Sequence, residues 1–335
     1  MIWNNIELFN VYETEQRVDG ALKLYRFPKS VRNRFAIEKP SYIGDVGNMT
    51  TGCELRFVTK AVDILLSSEY DGGTVEIFRG DFLCRVERIP AGVVTRISLR
   101  DDTALDCYAL EGYKGRFSPN VWRLVFDHDH CAVIHDVHPF TPIRPPMPSE
   151  VPQRKILAYG SSITHSAGAV LFSNSYVYTM AKSLGVDVLC KGMGGSCLIQ
   201  PEVAAYLPTE TWDVALLELG INMIEAYPVS VFEERATHLI KCVLKQRKPV
   251  VLISNYTSYN NIEGCKFKAN NDAYVNCLEG IYKRLKCDNL FYIRGQDIVT
   301  DWEYLGADLL HPSPYGHVEM GRKIADILRN KFKII

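Results

Sequence analysis

The rhythm of apolar residues changes once along this chain, and it changes just after a stretch dense in proline. Before that point, apolar and polar residues alternate in short runs, such as Cys53-Glu54-Leu55-Arg56-Phe57-Val58 and Thr74-Val75-Glu76-Ile77-Phe78, with Val121-Trp122-Arg123-Leu124-Val125-Phe126 as a further strand-like run. A period of two marks a half-buried strand. Turn signals such as Asp71-Gly72-Gly73 and Pro90-Ala91-Gly92 separate the runs. No long helical period interrupts them, so residues 1–140 are expected to form an all-β sandwich resembling a jelly roll. Five prolines then fall between Pro139 and Pro148, and another follows at Pro152. Proline lacks an N–H and fixes φ, so residues 141–153 read as a stiff linker.

From Lys155 the pattern is different. Strand-like apolar runs lie at 155–159, 186–190, 213–219, 249–254 and 290–293. Helical stretches fall between them, including Ser175 to Leu184, Val231 to Gln246 and Asn270 to Lys286. The last, Tyr315 to Phe332, follows Pro314, which suits a first helical turn. Alternating β and α segments with continuously apolar strands imply a parallel sheet covered on both faces, so residues 154–335 are expected to form an α/β domain.

Composition narrows the function classes. A length of 335 residues accommodates two full cores. The net charge is −1 and there is no basic stripe, so no nucleic-acid partner is expected. No apolar run approaches the ~18–20 residues of a membrane span, so no membrane partner is expected either. The segment Met1-Ile2-Trp3-Asn4-Asn5-Ile6-Glu7 has no basic region followed by an apolar core. The expectation is therefore a cytoplasmic protein, or a secreted one if a leader has been trimmed from this sequence. Ten cysteines occur without a CxxC pair, Cys53, Cys84, Cys107 and Cys131 among them in the first half. Reduced, buried thiols are the simplest reading, although spacing alone leaves disulfides open.

Four short blocks of the second half fall at the ends of expected strands: Gly160-Ser161-Ser162-Ile163-Thr164, Gly192-Met193-Gly194-Gly195-Ser196-Cys197, Leu219-Gly220-Ile221-Asn222 and Asp308-Leu309-Leu310-His311-Pro312. In an open α/β sheet all four can meet at the carboxyl edge, where such folds bind ligands. Their chemistry is coherent. Ser162 would attack an ester carbonyl, His311 would take and return the proton, and Asp308 would orient the imidazole. The backbone N–H of Ser162, the backbone N–H of Gly195 and the side-chain amide of Asn222 would form the oxyanion hole, one such donor being worth ~3–4 kcal/mol. This chemistry needs no cofactor and no metal.

These blocks resemble the SGNH, or GDSL-like, hydrolase family, whose four named residues match Ser162, Gly195, Asn222 and His311, with Asp308 in the family's Asp-x-x-His position. The resemblance covers about 150–335 and implies a flavodoxin-like, three-layer α/β/α domain. By layout alone, the first half is similar to the β-sandwich that precedes this fold in a subgroup that includes carbohydrate esterases. Ser161 stands where many members have Asp, and Cys190 where the second block often begins with Asn. Thr164 occupies the final position of a Gly-x-Ser-x-Gly elbow, which argues against an α/β-hydrolase.

Other residues carry weaker signals. His165 and His317 are rival bases, the first too near Ser162 in sequence to reach it easily and the second inside the last helix. Asp127-His128-Asp129-His130, with His135 and His138, has the look of a metal cluster, since strand alternation would put His128 and His130 on one face. A polar strand end and turn is the favoured reading. Trp302, Tyr304 and Tyr227 could face a sugar ring. The resemblance implies a serine esterase of short acyl groups, especially acetyl, on carbohydrate, with imported acetylated oligosaccharides fitting a cytoplasmic enzyme better than polymer. The alternatives are a lysophospholipase or thioesterase of the same family and a non-catalytic carbohydrate-binding protein. The expected partners are a small-molecule or oligosaccharide ester and, for assembly, a second copy of the chain.

Overall fold

The alternating runs of the first half pair as antiparallel strands. The computed structural model describes residues 1–38, 46–70, 72–101, 104–107, 112–128 and 130–335. Asp71 of one expected turn and Asp129 of the histidine-rich stretch lie outside these residues. The chain divides into two units, Met1–Pro28 with Gly47–Gln153 and Lys29–Val46 with Arg154–Ile335.

The strands of the first unit are β1 (Ile2–Trp3), β2 (Ile6–Phe9), β3 (Glu13–Gln16), β4 (Leu22–Tyr25), β5 (Glu54–Phe57), β6 (Ala61–Ser68), β7 (Gly73–Arg79), β8 (Phe82–Ile89), β9 (Thr95–Arg100), β10 (Trp122–Phe126) and β11 (Ala132–Pro139). They form two antiparallel sheets of order β1-β2-β5-β10-β7-β8 and β3-β4-β11-β6-β9. Leu55, Ile77 and Leu124 of the first and Leu24, Ile64 and Ile134 of the second are buried in one core, which makes the unit a β-sandwich. The proline-rich segment is packed on this unit: Val58 and Arg144 exchange backbone hydrogen bonds of 2.8 and 3.1 Å, and Arg144 pairs with Glu150 through both carboxylate oxygens.

Helix α1 (Lys29–Glu38), which goes with the second unit, is not visible in the periodicity. Only Val31 and Phe35 of it are buried, and two apolar residues four apart do not establish a period. The first unit also contains a short helix, α2 (Ala104–Cys107).

The second unit bears out the α/β reading. Its parallel strands are β12 (Lys155–Gly160), β13 (Asp187–Gly192), β14 (Val214–Glu218), β15 (Val250–Ile253) and β16 (Leu290–Ile293), in the order β13-β12-β14-β15-β16. That is the flavodoxin-like 2-1-3-4-5 order, with its switch point at β12. The helices are α3 (Tyr176–Leu184), α4 (Pro201–Tyr206), α5 (Val229–Leu244), α6 (Lys268–Leu285) and α7 (Pro314–Asp326). Helix α3 is capped by Ser175, which accepts the Tyr178 N–H, and ends at Gly185 with φ 72°. Helix α7 starts with Pro314 behind Ser313, whose hydroxyl accepts the Gly316 N–H. Among the described residues, no helix is long and apolar enough to cross a membrane.

The sandwich buries charge as well as apolar surface. Glu54 lies between Arg123, which reaches it at 2.7 and 2.8 Å, and Arg56, at 2.8 Å, and Arg123 also lies 3.8 Å over the Phe117 ring. Burial alone would raise the Glu54 carboxyl, but the two guanidiniums outweigh it and hold it down to about 2. Arg123→Ala should cost ~3–5 kcal/mol by leaving a buried charge half-compensated, measured by denaturant unfolding. In the wild type, a depressed native pKa stabilises the fold above the ordinary glutamate range. That contribution should fade as pH falls from there toward about 2. An Arg123→Ala protein as stable as wild type would contradict this account.

Candidate active site

The first block begins where β12 ends. Gly160 closes the strand, and the chain turns through Ser161–Thr164, with the Ser161 hydroxyl accepting the Ile163 N–H at 3.2 Å and the Ser161 carbonyl accepting the His165 N–H at 3.0 Å. Ser162 is left partly accessible at the carboxyl edge of the switch-point strand, between its neighbours β13 and β14. The second block follows β13 and the third follows β14. The fourth lies in the loop between β16 and α7, directly before α7.

The structure brings Ser162, His311 and Asp308 together. His311 Nε2 lies 2.8 Å from Ser162 Oγ, and His311 Nδ1 lies 2.6 Å from Asp308 Oδ2. The other carboxylate oxygen, Asp308 Oδ1, accepts the backbone N–H of Leu310 and of His311, each at 3.0 Å. Burial opposes the charge on Asp308, but the hydrogen bonds from the His311 ring and from the Leu310 and His311 N–H groups together outweigh it and hold the carboxyl below its ordinary range. The loop is tight enough to place Leu309 at φ 52°, in the left-handed region. Its carbonyl accepts the Tyr259 N–H at 2.7 Å, which ties this loop to the turn after β15.

Asn222 joins the third block to the second: its Oδ1 accepts the Cys197 N–H at 3.1 Å, which fixes the amide plane and leaves Nδ2 as the end available to another acceptor. Gly195 is in the left-handed region at φ 62°. Among the described residues, neither the Ser162 nor the Gly195 N–H donates to an internal backbone acceptor. A hydroxyl hydrogen-bonded to an imidazole that is oriented by a carboxylate is an arrangement that can make the hydroxyl a nucleophile, and free N–H donors can receive an oxyanion.

Both rival histidines are buried. His317 is buried, with Nδ1 accepting the Tyr176 N–H at 3.2 Å and Nε2 2.9 Å from the Ala167 carbonyl. His165 is also buried rather than open to solvent, and a Cβ on Gly194 would lie 3.2 Å from its Nδ1. His128 and His130 belong to no strand and fall between β10 and β11, so strand alternation does not align them, while His135 and His138 are on β11. His130 packs on Phe126 with ring centroids 4.8 Å apart, and burial pushes it down to about 3. His135 bonds to Ser67 at 2.8 Å, and His138 pairs with Asp136 at 3.1 Å. Of the aromatics, Trp302 is 45% exposed, Tyr304 packs edge-on against Tyr315, and Tyr227 lies beneath Arg235.

Sequence reasoning missed Glu218, which accepts the Ser161 N–H at 2.6 Å from the end of β14. The signal was present as a lone carboxylate closing the apolar run Val214-Ala215-Leu216-Leu217. The link between Tyr259 and Leu309 had no such signal, because it is made by backbone atoms.

The sequence model of the GDSL-like lipase/acylhydrolase family matches residues 153–329. The chain belongs to that family. Membership makes it a carboxylic ester hydrolase, and the match spans all four blocks. No curated protein sequence matches the chain. Several solved structures share the fold of this GDSL-like hydrolase. The salicylyl-acyltransferase SsfX3 from a tetracycline biosynthetic pathway is 14% identical with a TM-score of 0.79, over 96% of this chain and 93% of that one. A family two carbohydrate esterase from Cellvibrio japonicus is 15% identical with a TM-score of 0.65, over 98% and 96%. A family two carbohydrate esterase from Clostridium thermocellum, in complex with cellohexaose, is 15% identical with a TM-score of 0.62, over 86% and 94%. These likenesses extend the shared fold through the sandwich.

Asp308→Asn should lower kcat on the order of a thousandfold or more, because the amide cannot accept from His311 Nδ1 with the same charge. In the wild type, a carbon NMR titration should place the Asp308 carboxyl midpoint below that of free aspartate, so the pair survives acidification through the ordinary range and is lost only below it. A midpoint at or above that range would contradict the pairing.

Proposed function

We propose that this protein is a serine esterase that removes short acyl groups, acetyl above all, from carbohydrate esters. The observation that carries the reading is the continuous set of hydrogen bonds from Ser162 Oγ to His311 Nε2 at 2.8 Å and from His311 Nδ1 to Asp308 Oδ2 at 2.6 Å. In this mechanism Ser162 Oγ attacks the ester carbonyl while its proton passes to His311 Nε2. The resulting imidazolium is stabilised by Asp308, whose carboxylate stays ionised. The oxyanion is received by the Ser162 and Gly195 N–H groups and by the Asn222 amide. Collapse expels the sugar alcohol, which takes the proton from His311, and leaves an acyl-enzyme on Ser162. Water, deprotonated by His311, then attacks the acyl-enzyme and releases the acid and free Ser162.

Carbohydrate is the proposed alcohol because the fold shared with the two family two carbohydrate esterases includes the sandwich, and because one of them is in complex with cellohexaose. The exposed Trp302 is the proposed sugar-facing ring of the second unit.

The test is hydrolysis of p-nitrophenyl esters of increasing chain length by wild type and Ser162→Ala, followed by acetyl release from acetylated oligosaccharides. The expected result is turnover that falls with chain length and drops by at least ~1,000-fold in Ser162→Ala, with an unchanged melting temperature. A preference for long chains would favour a lysophospholipase or thioesterase. Binding of oligosaccharide without Ser162-dependent turnover would favour a carbohydrate-binding protein.

A further inference from the structure

Glu218 is the last residue of the central strand β14 and is fully buried. A buried carboxylate is costly unless donors face it. Two donors converge on its Oε2: the backbone N–H of Ser161 at 2.6 Å and the hydroxyl of Thr164 at 3.1 Å. Both belong to the turn after β12, and Ser162 lies between them in the sequence. Thr164 Oγ1 is itself 2.7 Å from the Tyr176 hydroxyl, and Tyr176 packs edge-on against Tyr256 behind it. The fit is close. A Cβ on Gly160 would lie 2.5 Å from Glu218 Oε2 and 2.3 Å from Thr164 Oγ1, so glycine lets the carboxylate reach the turn. Glu218 Oε1 is buried with no hydrogen-bond partner among the described residues, so one oxygen makes both bonds.

We propose that Glu218 is a positioning residue: its buried carboxylate clamps the Ser161–Thr164 turn to the end of the central strand and so aims the Ser162 hydroxyl at His311. The proposal rests on the reading of Ser162 as nucleophile. A shift of ~1 Å at a reacting atom can cost ~100-fold in rate, and the turn's other hydrogen bonds, such as Ile163 N–H to the Ser161 hydroxyl and His165 N–H to the Ser161 carbonyl, are internal to it and its continuation, whereas Glu218 ties it to the neighbouring strand. Burial raises the Glu218 carboxyl above its ordinary range, and the Ser161 and Thr164 donors oppose that shift without overcoming it. The titratable groups that face it are Tyr159 on β12, Tyr176 on α3, Cys197 after β13, Tyr256 after β15 and His311 before α7. Burial pushes the three tyrosines and the cysteine above their ordinary ranges.

The experiment compares kcat and KM of wild type, Ser162→Ala, Glu218→Leu and Glu218→Gln on p-nitrophenyl acetate, with a thermal melt of each. Leu fills the space without an acceptor, and kcat should fall roughly 100-fold while KM stays within about twofold. Gln keeps an acceptor, so kcat should recover to within about tenfold of wild type. If Glu218→Leu does not fold, Thr164→Val removes one donor at nearly constant volume and should lower kcat about tenfold. A folded Glu218→Leu or Thr164→Val with wild-type kcat would overturn the clamp and leave the esterase reading intact. So would folded Glu218→Leu and Glu218→Gln variants that lose activity alike, with no rescue by the retained acceptor. Turnover retained in Ser162→Ala would overturn that reading and the clamp with it.

Discussion

The chemistry proposed for the second unit depends on one hydrogen bond, between Ser162 and His311, which joins residues 149 positions apart at 2.8 Å. Nothing local holds these two groups together. Ser162 is placed by β12 and His311 by the loop before α7, so the bond exists only while α7 stays against α3. His317 secures that packing. From within α7 it bonds to the Tyr176 N–H at the start of α3 and lies within hydrogen-bond distance of the Ala167 carbonyl, in the loop between Ser162 and α3. The histidine that is not proposed as the base therefore holds the one that is.

The parallel sheet explains why groups so distant in sequence meet. Every strand of a parallel sheet ends on the same edge, and the order β13-β12-β14 puts the second and third blocks on either side of the first. Cross-bonds then fix the loops to one another: Asn222 to Cys197, Tyr259 to Leu309, and Glu218 to Ser161. The edge is rigid because its buried polar groups are used as braces between loops, and because the apolar strands beneath it are packed on both faces.

The sequence disclosed what depends on periodicity and order. The apolar run at 290–293 coincides with β16, and the proposed strands at 155–159 and 213–219 differ from β12 and β14 by a residue or so at their ends. The first three blocks stood out because each pairs small or polar residues with an expected strand end, and the fourth because its Asp-x-x-His-Pro stands just before an expected helix. What stayed hidden had no local signature. Helix α1 has only two buried apolar residues, and α4 is a single short stretch of six residues. The Asp127–His130 stretch looked like a ligand set because sequence shows residue types and not partners; in three dimensions His130 is buried on an aromatic ring and His135 and His138 bond elsewhere. Glu218 was legible as an anomaly in an apolar strand, but its meaning required the turn that lies against it.

The most direct measurement is mass spectrometry of the protein quenched in acid within the first turnovers on p-nitrophenyl acetate, with peptide mapping of the adduct. The account predicts one acetyl group on the peptide that contains Ser162, located on that side chain and absent from Ser162→Ala. An acetyl group on another residue, or turnover with no covalent adduct under conditions where deacylation is slow, would contradict it.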